Sequence, residues 1–151
     1  MSTIGFDTSN YTTSTAWTDG KTDINVRQIL YVKDGERGIR QSDGVFQHMK
    51  LMPVMYEKLS EQIDFKDVKA VGVSTRPRCV EGSYMPVFLA GEGYAKVVAN
   101  TLGVTLYEFS HQDGHIMAGI YSSGSFELLE NDFISVHLSG GTTEILKSRY
   151  N

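Results

Sequence analysis

The chain has 151 residues, which suits one ordinary domain, and its content of 40% hydrophobic and 21% charged residues is typical of a soluble globular protein. Fourteen Lys and Arg against eighteen Asp and Glu give a net charge of −4 without a basic run, so a contact with RNA would need a partner protein or a local patch. Cys79 is the only cysteine, which excludes an internal disulfide, and no apolar run reaches the roughly 18–20 residues that span a membrane. The N-terminus lacks the pattern of a signal peptide, so we expect a cytoplasmic protein.

The stretch to about residue 35 predicts a three-stranded meander. Thr3–Asp7 alternates apolar and polar residues and then runs into a polar turn. Thr12–Thr18 is rich in threonine and aromatic residues and ends at a hairpin-type Asp-Gly pair. Ile24–Lys33 alternates again and ends at a second Asp-Gly pair.

The remainder predicts helices and strands in alternation. Apolar residues recur at helical spacing from Val45 to Ile63, where Pro53 should bend the helix. The pattern then predicts a buried strand over 69–75, a helix over 86–102, a strand over 104–109, a helix from 111 to about 121, and a hairpin with strands over 133–138 and 142–147.

The predicted order is thus βββαβαβα followed by a C-terminal β-hairpin. This order favours an α/β fold with a mixed sheet and helices on both faces. It resembles the ribonuclease H-like lobe of the actin, Hsp70 and sugar kinase superfamily. We expect residues 1–130 to form that lobe and residues 131–151 to form the first hairpin of a second, missing lobe.

Two polar turns are candidate phosphate-binding sites. Asp7, Thr8 and Ser9 follow the first strand and could offer a carboxylate to Mg²⁺ and donors to a phosphate, although an Asx- or Ser/Thr-stabilised turn is the simpler alternative. Ser139, Gly140 and Gly141 could form an anion-binding concavity from backbone N–H groups, or an ordinary Gly-Gly hairpin turn.

The segment HQDGH is a candidate metal site. His111 and His115 are four residues apart, which places both imidazoles on one face of a helix, and imidazole is a common ligand of zinc and iron. The alternative is that one histidine caps the helix while the other packs or hydrogen-bonds. Because the pair follows a predicted sheet strand, it lies where open α/β sheets bind ligands.

A fourth candidate is the loop that contains Arg76 and Arg78. It follows a strand and precedes a helix, so its arginines and the helix N-terminus could bind an anion. Its proline and glycine are equally typical of an ordinary connection between a strand and a helix.

Several stretches together resemble the tRNA threonylcarbamoyladenosine transferase family, long known as O-sialoglycoprotein endopeptidase or glycoprotease. The best matches are AKVVANTLGVTLYEFSHQDGH and LSGGTTEIL, and the resemblance runs along nearly all of the chain. It implies that His111 and His115 are the family's metal-binding histidines. It also implies that Asp7, Thr8 and Ser9, with Ser139, Gly140 and Gly141, form the turns that face a nucleotide phosphate.

The resemblance implies an activity as well. Family members transfer a threonylcarbamoyl group from an adenylate to N6 of adenosine 37 in tRNA, and they work with partner proteins. The implied cofactors are a divalent metal (iron or zinc) and ATP or an adenylate, with Mg²⁺. The metal would orient the adenylate for attack.

This chain departs from the family pattern in ways that indicate a divergent paralogue. Arg76-Pro77-Arg78 stands where the family has Gly-Pro-Gly, and Thr142 stands where histidine is common. Asp7 and Asp113 take places usually held by glutamate. The chain is also about half the family's length and lacks the aspartate expected as third metal ligand, so we expect the N-terminal half of such an enzyme to be inactive alone.

Two other functions stay open from the sequence. The chain could be a non-catalytic scaffold or dimerisation paralogue of the same superfamily. Separately, because a chain that lacks the rest of the second lobe has lost sheet neighbours of its C-terminal hairpin, we expect self-association through that hairpin. A metal-dependent glycoprotein endopeptidase is a weaker alternative, because zinc peptidases of the HExxH type need a glutamate as general base where this chain has Gln112.

Overall fold

The computed structural model describes residues 1–139 and 142–149. The chain divides into two compact units, Met1–His111 and Gln112–Asn151. Each unit has its own sheet, and each is described here by itself.

The first unit is built on a mixed five-stranded sheet. Its strands are β1 (Ser2–Asp7), β2 (Thr12–Thr18), β3 (Asp23–Ile29), β4 (Val68–Arg76) and β5 (Thr105–Ser110). Their order across the sheet is β3-β2-β1-β4-β5. The β1–β2 and β2–β3 pairs are antiparallel, as expected of a meander, whereas β4 lies parallel to both β1 and β5. The carboxyl ends of β1, β4 and β5 therefore meet at one edge of the sheet.

Two helices pack on one face of this sheet, α1 (Gln41–Ser60) and α2 (Phe88–Leu102). Alternate residues of β1 and β4 face them, because successive side chains of a strand point to opposite faces. The resulting core combines side chains of both strands with side chains of both helices, namely Ile4, Phe6, Val71, Val73, Met52, Leu59, Ala95 and Ala99. Burial of this apolar surface is the main force that holds the first unit together.

The local sequence explains where α2 ends. Gly103 follows α2 with a φ of 65°, the left-handed conformation that terminates many helices and that glycine adopts without a steric penalty. Pro53 lies inside α1, and this helix of 20 residues continues both before and after it.

The second unit contains most of α3 (His111–Ser123) and a hairpin of β6 (Phe133–Ser139) and β7 (Thr142–Ser148). The first residue of α3, His111, is the last residue of the first unit. The strands pair antiparallel in a register that places Val136 opposite Ile145 and His137 opposite Glu144. Alternation along each strand gives the hairpin two faces, and the face with Ile134, Val136, Leu138 and Ile145 is exposed.

The predicted element order is confirmed, with boundaries shifted by a few residues. Two short 3₁₀ helices, Phe65–Asp67 and Phe126–Glu130, were not predicted, because single turns leave no periodic signal. Helices on both faces of the sheet stay a prediction, since α1 and α2 share one face within the first unit. Gly140 and Gly141 lie outside the described residues. In the described part of the chain, no helix combines the length and apolar character that crossing a bilayer requires.

Candidate metal and nucleotide site

The turn after β1 is held in shape by its own side chains. The Oδ1 atom of Asp7 accepts a hydrogen bond from the Ser9 N–H at 2.8 Å, which forms an Asx turn. The hydroxyl of Thr8 is fully buried; it donates to the Val87 carbonyl at 2.8 Å and accepts from the Gly91 N–H at 3.0 Å. Thr8 thus satisfies a backbone donor in the first turn of α2, where N–H groups lack partners within the helix.

The close approach of this turn to α2 depends on Gly91. A Cβ atom at position 91 would lie 2.8 Å from Thr8 Oγ1, a distance that real Cβ atoms do not tolerate. At Gly93, two residues further along α2, no described atom lies within 4 Å of the corresponding position. Of the two glycines in α2, Gly91 is the one that fixes the distance between β1 and the helix.

The other oxygen of Asp7 bonds to a residue 104 positions away in sequence. Its Oδ2 atom lies 2.8 Å from Nδ1 of His111, the residue that follows β5. The two side chains are 24% and 31% exposed, so the pair is partly shielded from water and still reachable from it. The His111 ring also faces the Phe88 ring at the start of α2, with centroids 6.2 Å apart. At this edge of the sheet, Asp7 of the predicted phosphate turn therefore contacts His111, the first predicted metal ligand.

The electrostatics of this pair keep Asp7 ionised. Burial acts to raise the pKa of Asp7, but the hydrogen bond and charge of His111, together with hydrogen bonds from Ser74 and Ser9, lower it to about 2. A carboxylate accepts hydrogen bonds and cannot donate them, so His111 donates from Nδ1.

A second histidine lies in the interior beneath the same turn. His48, on α1, is fully buried, and its Nδ1 atom lies 2.8 Å from the hydroxyl of Thr13 on β2. Burial lowers the pKa of His48 to about 4, against the opposing effects of the Asp7 charge and the Ser9 backbone. His48 is therefore neutral at pH 7 and acts as a core residue.

The arginine loop carries one half-buried and one exposed arginine. Arg76 donates to the Thr75 hydroxyl at 3.1 Å, and its Nη2 atom lies 4.0 Å from Cys79 Sγ. Arg78 is exposed, and its backbone N–H donates to Ser83 Oγ at 3.0 Å. These bonds stabilise the loop, and its anion-binding role stays a prediction.

In the second unit, a polar cluster lies between α3 and the hairpin. Gln112 donates to Glu144 Oε2 at 2.6 Å and lies 3.4 Å from His137 Nδ1. His137 Nδ1 is also 3.8 Å from Glu144 Oε2, and the His137 ring lies 5.3 Å from the His115 ring. His115 itself is exposed on α3. The second predicted metal ligand, His115, thus lies beside His137 of the hairpin.

The sequence analysis did not predict the contact of Asp7 with His111 or that of His137 with Glu144, although the sequence carries a signal for each. The hairpin predicted from the sequence pairs residues 133–138 with residues 142–147, and in the observed register His137 lies opposite Glu144. The parallel order β1-β4-β5 brings the carboxyl ends of β1 and β5 to one edge, and therefore Asp7 towards the start of α3. Neither signal gives the side-chain rotamers that complete the contacts.

The structure leaves the rest of the candidate site untested. The backbone of Ser139 ends β6, while its side chain and both glycines of that turn lie outside the described residues. Among residues 1–139 and 142–149, no group of three or more His, Cys, Asp or Glu side chains is arranged to hold a metal ion. His111 and His115 share one helix, and their role as ligands stays a prediction.

Comparison with known proteins identifies relatives by sequence. The chain is 32% identical over 98 residues to a tRNA N6-adenosine threonylcarbamoyltransferase of Christiangramia forsetii, which covers 64% of this chain and 27% of that protein. It is 28% identical over 144 residues to a protein of the same name from Pyrobaculum calidifontis, which covers 94% of this chain and 40% of that protein. No protein-family model matches the chain.

The chain is therefore homologous to part of these tRNA N6-adenosine threonylcarbamoyltransferases. This confirms the resemblance carried by the HQDGH and LSGGTTEIL stretches. The chain spans 27% to 40% of the length of these curated relatives, so the homology to the family concerns part of each relative.

Solved structures support the fold. YeaZ from Pseudomonas aeruginosa superposes with a TM-score of 0.56 at 13% identity, covering 98% of this chain and 65% of that one. A second structure, of an uncharacterized protein with similarity to peptidase YEAZ from the same organism, gives a TM-score of 0.56 at 12% identity, covering 97% and 64%. At these identities the likeness concerns the fold alone, and it confirms the ribonuclease H-like prediction.

Proposed function

We propose that this chain is the nucleotide- and metal-binding N-terminal lobe of a threonylcarbamoyl transferase that acts on adenosine 37 of tRNA. Homology to the threonylcarbamoyltransferases supports the activity. The observation that carries the proposal is the 2.8 Å contact between Asp7 and His111, because it joins the turn after β1 to the start of α3. In an open α/β sheet, this carboxyl edge is where ligands bind.

The donor types present fit a divalent metal such as iron or zinc. His111 and His115 supply two imidazoles from one helix, and metal-binding histidines are commonly oriented by a carboxylate, as Asp7 orients His111. The described residues supply no third ligand arranged around a common centre, so the proposal takes the remaining ligand from a further lobe or from the substrate. When bound, the metal would act as a Lewis acid towards the adenylate.

The proposed reaction exchanges one bond for another. N6 of the adenosine attacks the carbamoyl carbon of threonylcarbamoyl adenylate, a C–N bond forms, and the bond from that carbon to the phosphate oxygen breaks. AMP leaves with the electron pair, and N6 loses a proton. We assign the phosphate of the adenylate to the turns at Asp7, Thr8 and Ser9 and at Ser139, Gly140 and Gly141. Arg76 and Arg78 would add positive charge near the leaving phosphate.

The charge of the chain bears on how tRNA would be bound. A net charge of −4 without a basic run offers little attraction to a phosphate backbone. We therefore propose that partner proteins supply most of the tRNA-binding surface, in the cytoplasm. We also propose that this chain alone turns over little or no substrate.

A scaffold role is the second candidate, and the exposed face of the hairpin favours it. Ile134, Val136, Leu138 and Ile145 form a run of aliphatic side chains that a second copy of the chain could cover. The endopeptidase alternative gains no support from the structure, because the Gln112 amide donates to Glu144 and cannot accept a proton as a general base.

Calorimetric titration with a hydrolysis-resistant threonylcarbamoyl adenylate analogue tests the proposal. We expect the wild-type chain to bind the analogue more tightly with Zn²⁺ than without it, and we expect the His111→Ala variant to lose that difference. Absence of binding in both conditions, together with a dimer in light scattering, would support the scaffold instead. Full turnover on tRNA by this chain alone would overturn the partial-lobe assignment.

A further inference from the structure

The hydrogen bond between Asp7 and His111 determines which ring nitrogen of His111 carries the proton. A neutral imidazole has one donor nitrogen and one acceptor nitrogen. Nδ1 lies 2.8 Å from the Oδ2 atom of a carboxylate that can only accept, so Nδ1 carries the hydrogen. The lone pair is then on Nε2, at the opposite side of the ring.

Asp7 is itself firmly placed. It is the last residue of β1, the central strand of the five-stranded sheet, and it pairs with Ser14 of β2. Its Oδ1 atom is fixed by the Ser9 N–H at 2.8 Å, which leaves Oδ2 directed at His111. A carboxylate held at both oxygens restricts the rotation of its partner ring more than a mobile one does.

A contact with an aromatic ring also restrains the ring of His111. The Phe88 ring, at the start of α2, lies 6.2 Å from it at an angle of 53°. Phe88 is buried, and α2 is fixed against β1 through Thr8 and Gly91. The carboxylate thus sets the tautomer of His111, while the neighbouring aromatic ring limits its tilt.

We propose that Asp7 is a positioning residue that holds His111 in the Nδ1–H tautomer and so makes Nε2 its metal-binding atom. This inference rests on the proposed metal site and deepens it, because it gives the Asp7 side chain a role through His111 in addition to its place in the proposed phosphate turn. The carboxylate that the sequence pattern assigns to a phosphate turn would then hydrogen-bond a metal ligand without contacting the metal itself.

Two variants of Asp7 and one control test the proposal. Asp7→Ala removes the acceptor, whereas Asp7→Asn keeps an accepting oxygen without the charge. Asp19→Asn is the matched control, because Asp19 also accepts backbone N–H groups in a turn, from Lys21 and Thr22, but is exposed. Circular dichroism and thermal unfolding show that each variant is folded.

The first measurement needs no metal. Two-bond ¹H–¹⁵N correlation spectra report the tautomer of each histidine, and the His111→Gln variant assigns the signal. We expect the Nδ1–H pattern in the wild type and in Asp19→Asn, a shift towards Nε2–H in Asp7→Ala, and an intermediate result in Asp7→Asn. A wild-type ring in the Nε2–H form, or a tautomer unchanged in Asp7→Ala, would overturn the proposal.

The second measurement is the affinity for Zn²⁺ alone, by calorimetry. We expect Asp7→Ala to weaken binding by about 10- to 100-fold, as loss of an outer carboxylate partner typically does, and Asp7→Asn to weaken it less. Affinity unchanged in Asp7→Ala would contradict the positioning role. A wild-type chain that shows the Asp7-dependent tautomer but binds no Zn²⁺ would instead contradict the metal site of the proposed function.

Discussion

Strands β1 and β6 alternate apolar and polar residues in the same way, yet their apolar faces meet different environments. Ile4 and Phe6 of β1 are 1% and 3% exposed because α1 and α2 cover them. Ile134 and Leu138 of β6 are each 72% exposed. Alternation therefore predicts a strand in both units, but burial depends on the elements that pack against it, which a local pattern does not contain.

The largest expected difference between the units comes from one pair of matched substitutions. Leu59→Ala removes a fully buried side chain of α1, so we expect the free energy of unfolding to fall by about 2–5 kcal/mol. Leu138→Ala truncates an exposed side chain, and we expect a change within about 0.5 kcal/mol. Urea unfolding followed by circular dichroism measures both. A cost for Leu138→Ala similar to that of Leu59→Ala would show that the hairpin face is covered.

The buried histidine of the first unit should make its stability depend on pH. The pKa of His48 falls from 6.5 to about 4 on folding, so its neutral form is favoured and the stability it supports is complete above pH 6.5. As the pH falls from 6.5 through 4, up to about 3 kcal/mol should be lost, since one pKa unit corresponds to about 1.4 kcal/mol.

Urea unfolding of the wild type and of His48→Gln at a series of pH values checks this. The variant should be less stable at pH 7 and should lose less stability between pH 6.5 and 4. Asp7 has its own window at lower pH, because its pKa of about 2 lies below its ordinary value of 3.8. Identical pH profiles for the two proteins would contradict the account of His48.

Two helix glycines extend the comparison between the units. A Cβ at Gly91 in α2 would meet Thr8 Oγ1 at 2.8 Å, so we expect Gly91→Ala to destabilise the first unit by about 1–3 kcal/mol. At Gly119 in α3, no described atom lies within 4 Å of such a Cβ, and we expect Gly119→Ala to be neutral or to stabilise by up to about 1 kcal/mol. Thermal unfolding measures both, and the opposite order of effects would contradict the close contact at Thr8.

The smallest expected effect concerns self-association through the exposed hairpin face. Val136 and Ile145 form a cross-strand pair on that face, 60% and 74% exposed. We expect the wild-type chain to form dimers at high concentration, and Val136→Lys to weaken dimerisation about tenfold, which corresponds to about 1.4 kcal/mol. Light scattering across a concentration series provides the measurement. A strictly monomeric wild type would remove the hairpin as an interface.

The sequence was sufficient for the elements and their order, because strong periodicity identifies each long helix and strand. It also placed Asp7 and the HQDGH segment after strands, and the parallel order of β1, β4 and β5 brings those ends together. It did not predict that Asp7 bonds to His111, because the contact spans 104 positions and depends on side-chain geometry. Nor did it predict that the hydroxyl of Thr8 faces α2, since a buried and an exposed threonine look alike in a polar turn.

Metal titration of the purified chain tests most directly the central proposal, that His111 and His115 are ligands of a bound metal ion. Zn²⁺ or Fe²⁺ is titrated into the wild type, His111→Ala and His115→Ala, and bound metal is quantified after dialysis. The account predicts more bound metal in the wild-type chain than in either variant, because each variant lacks one of the two imidazole ligands. Equal metal content in all three proteins, or none in the wild type, would contradict it.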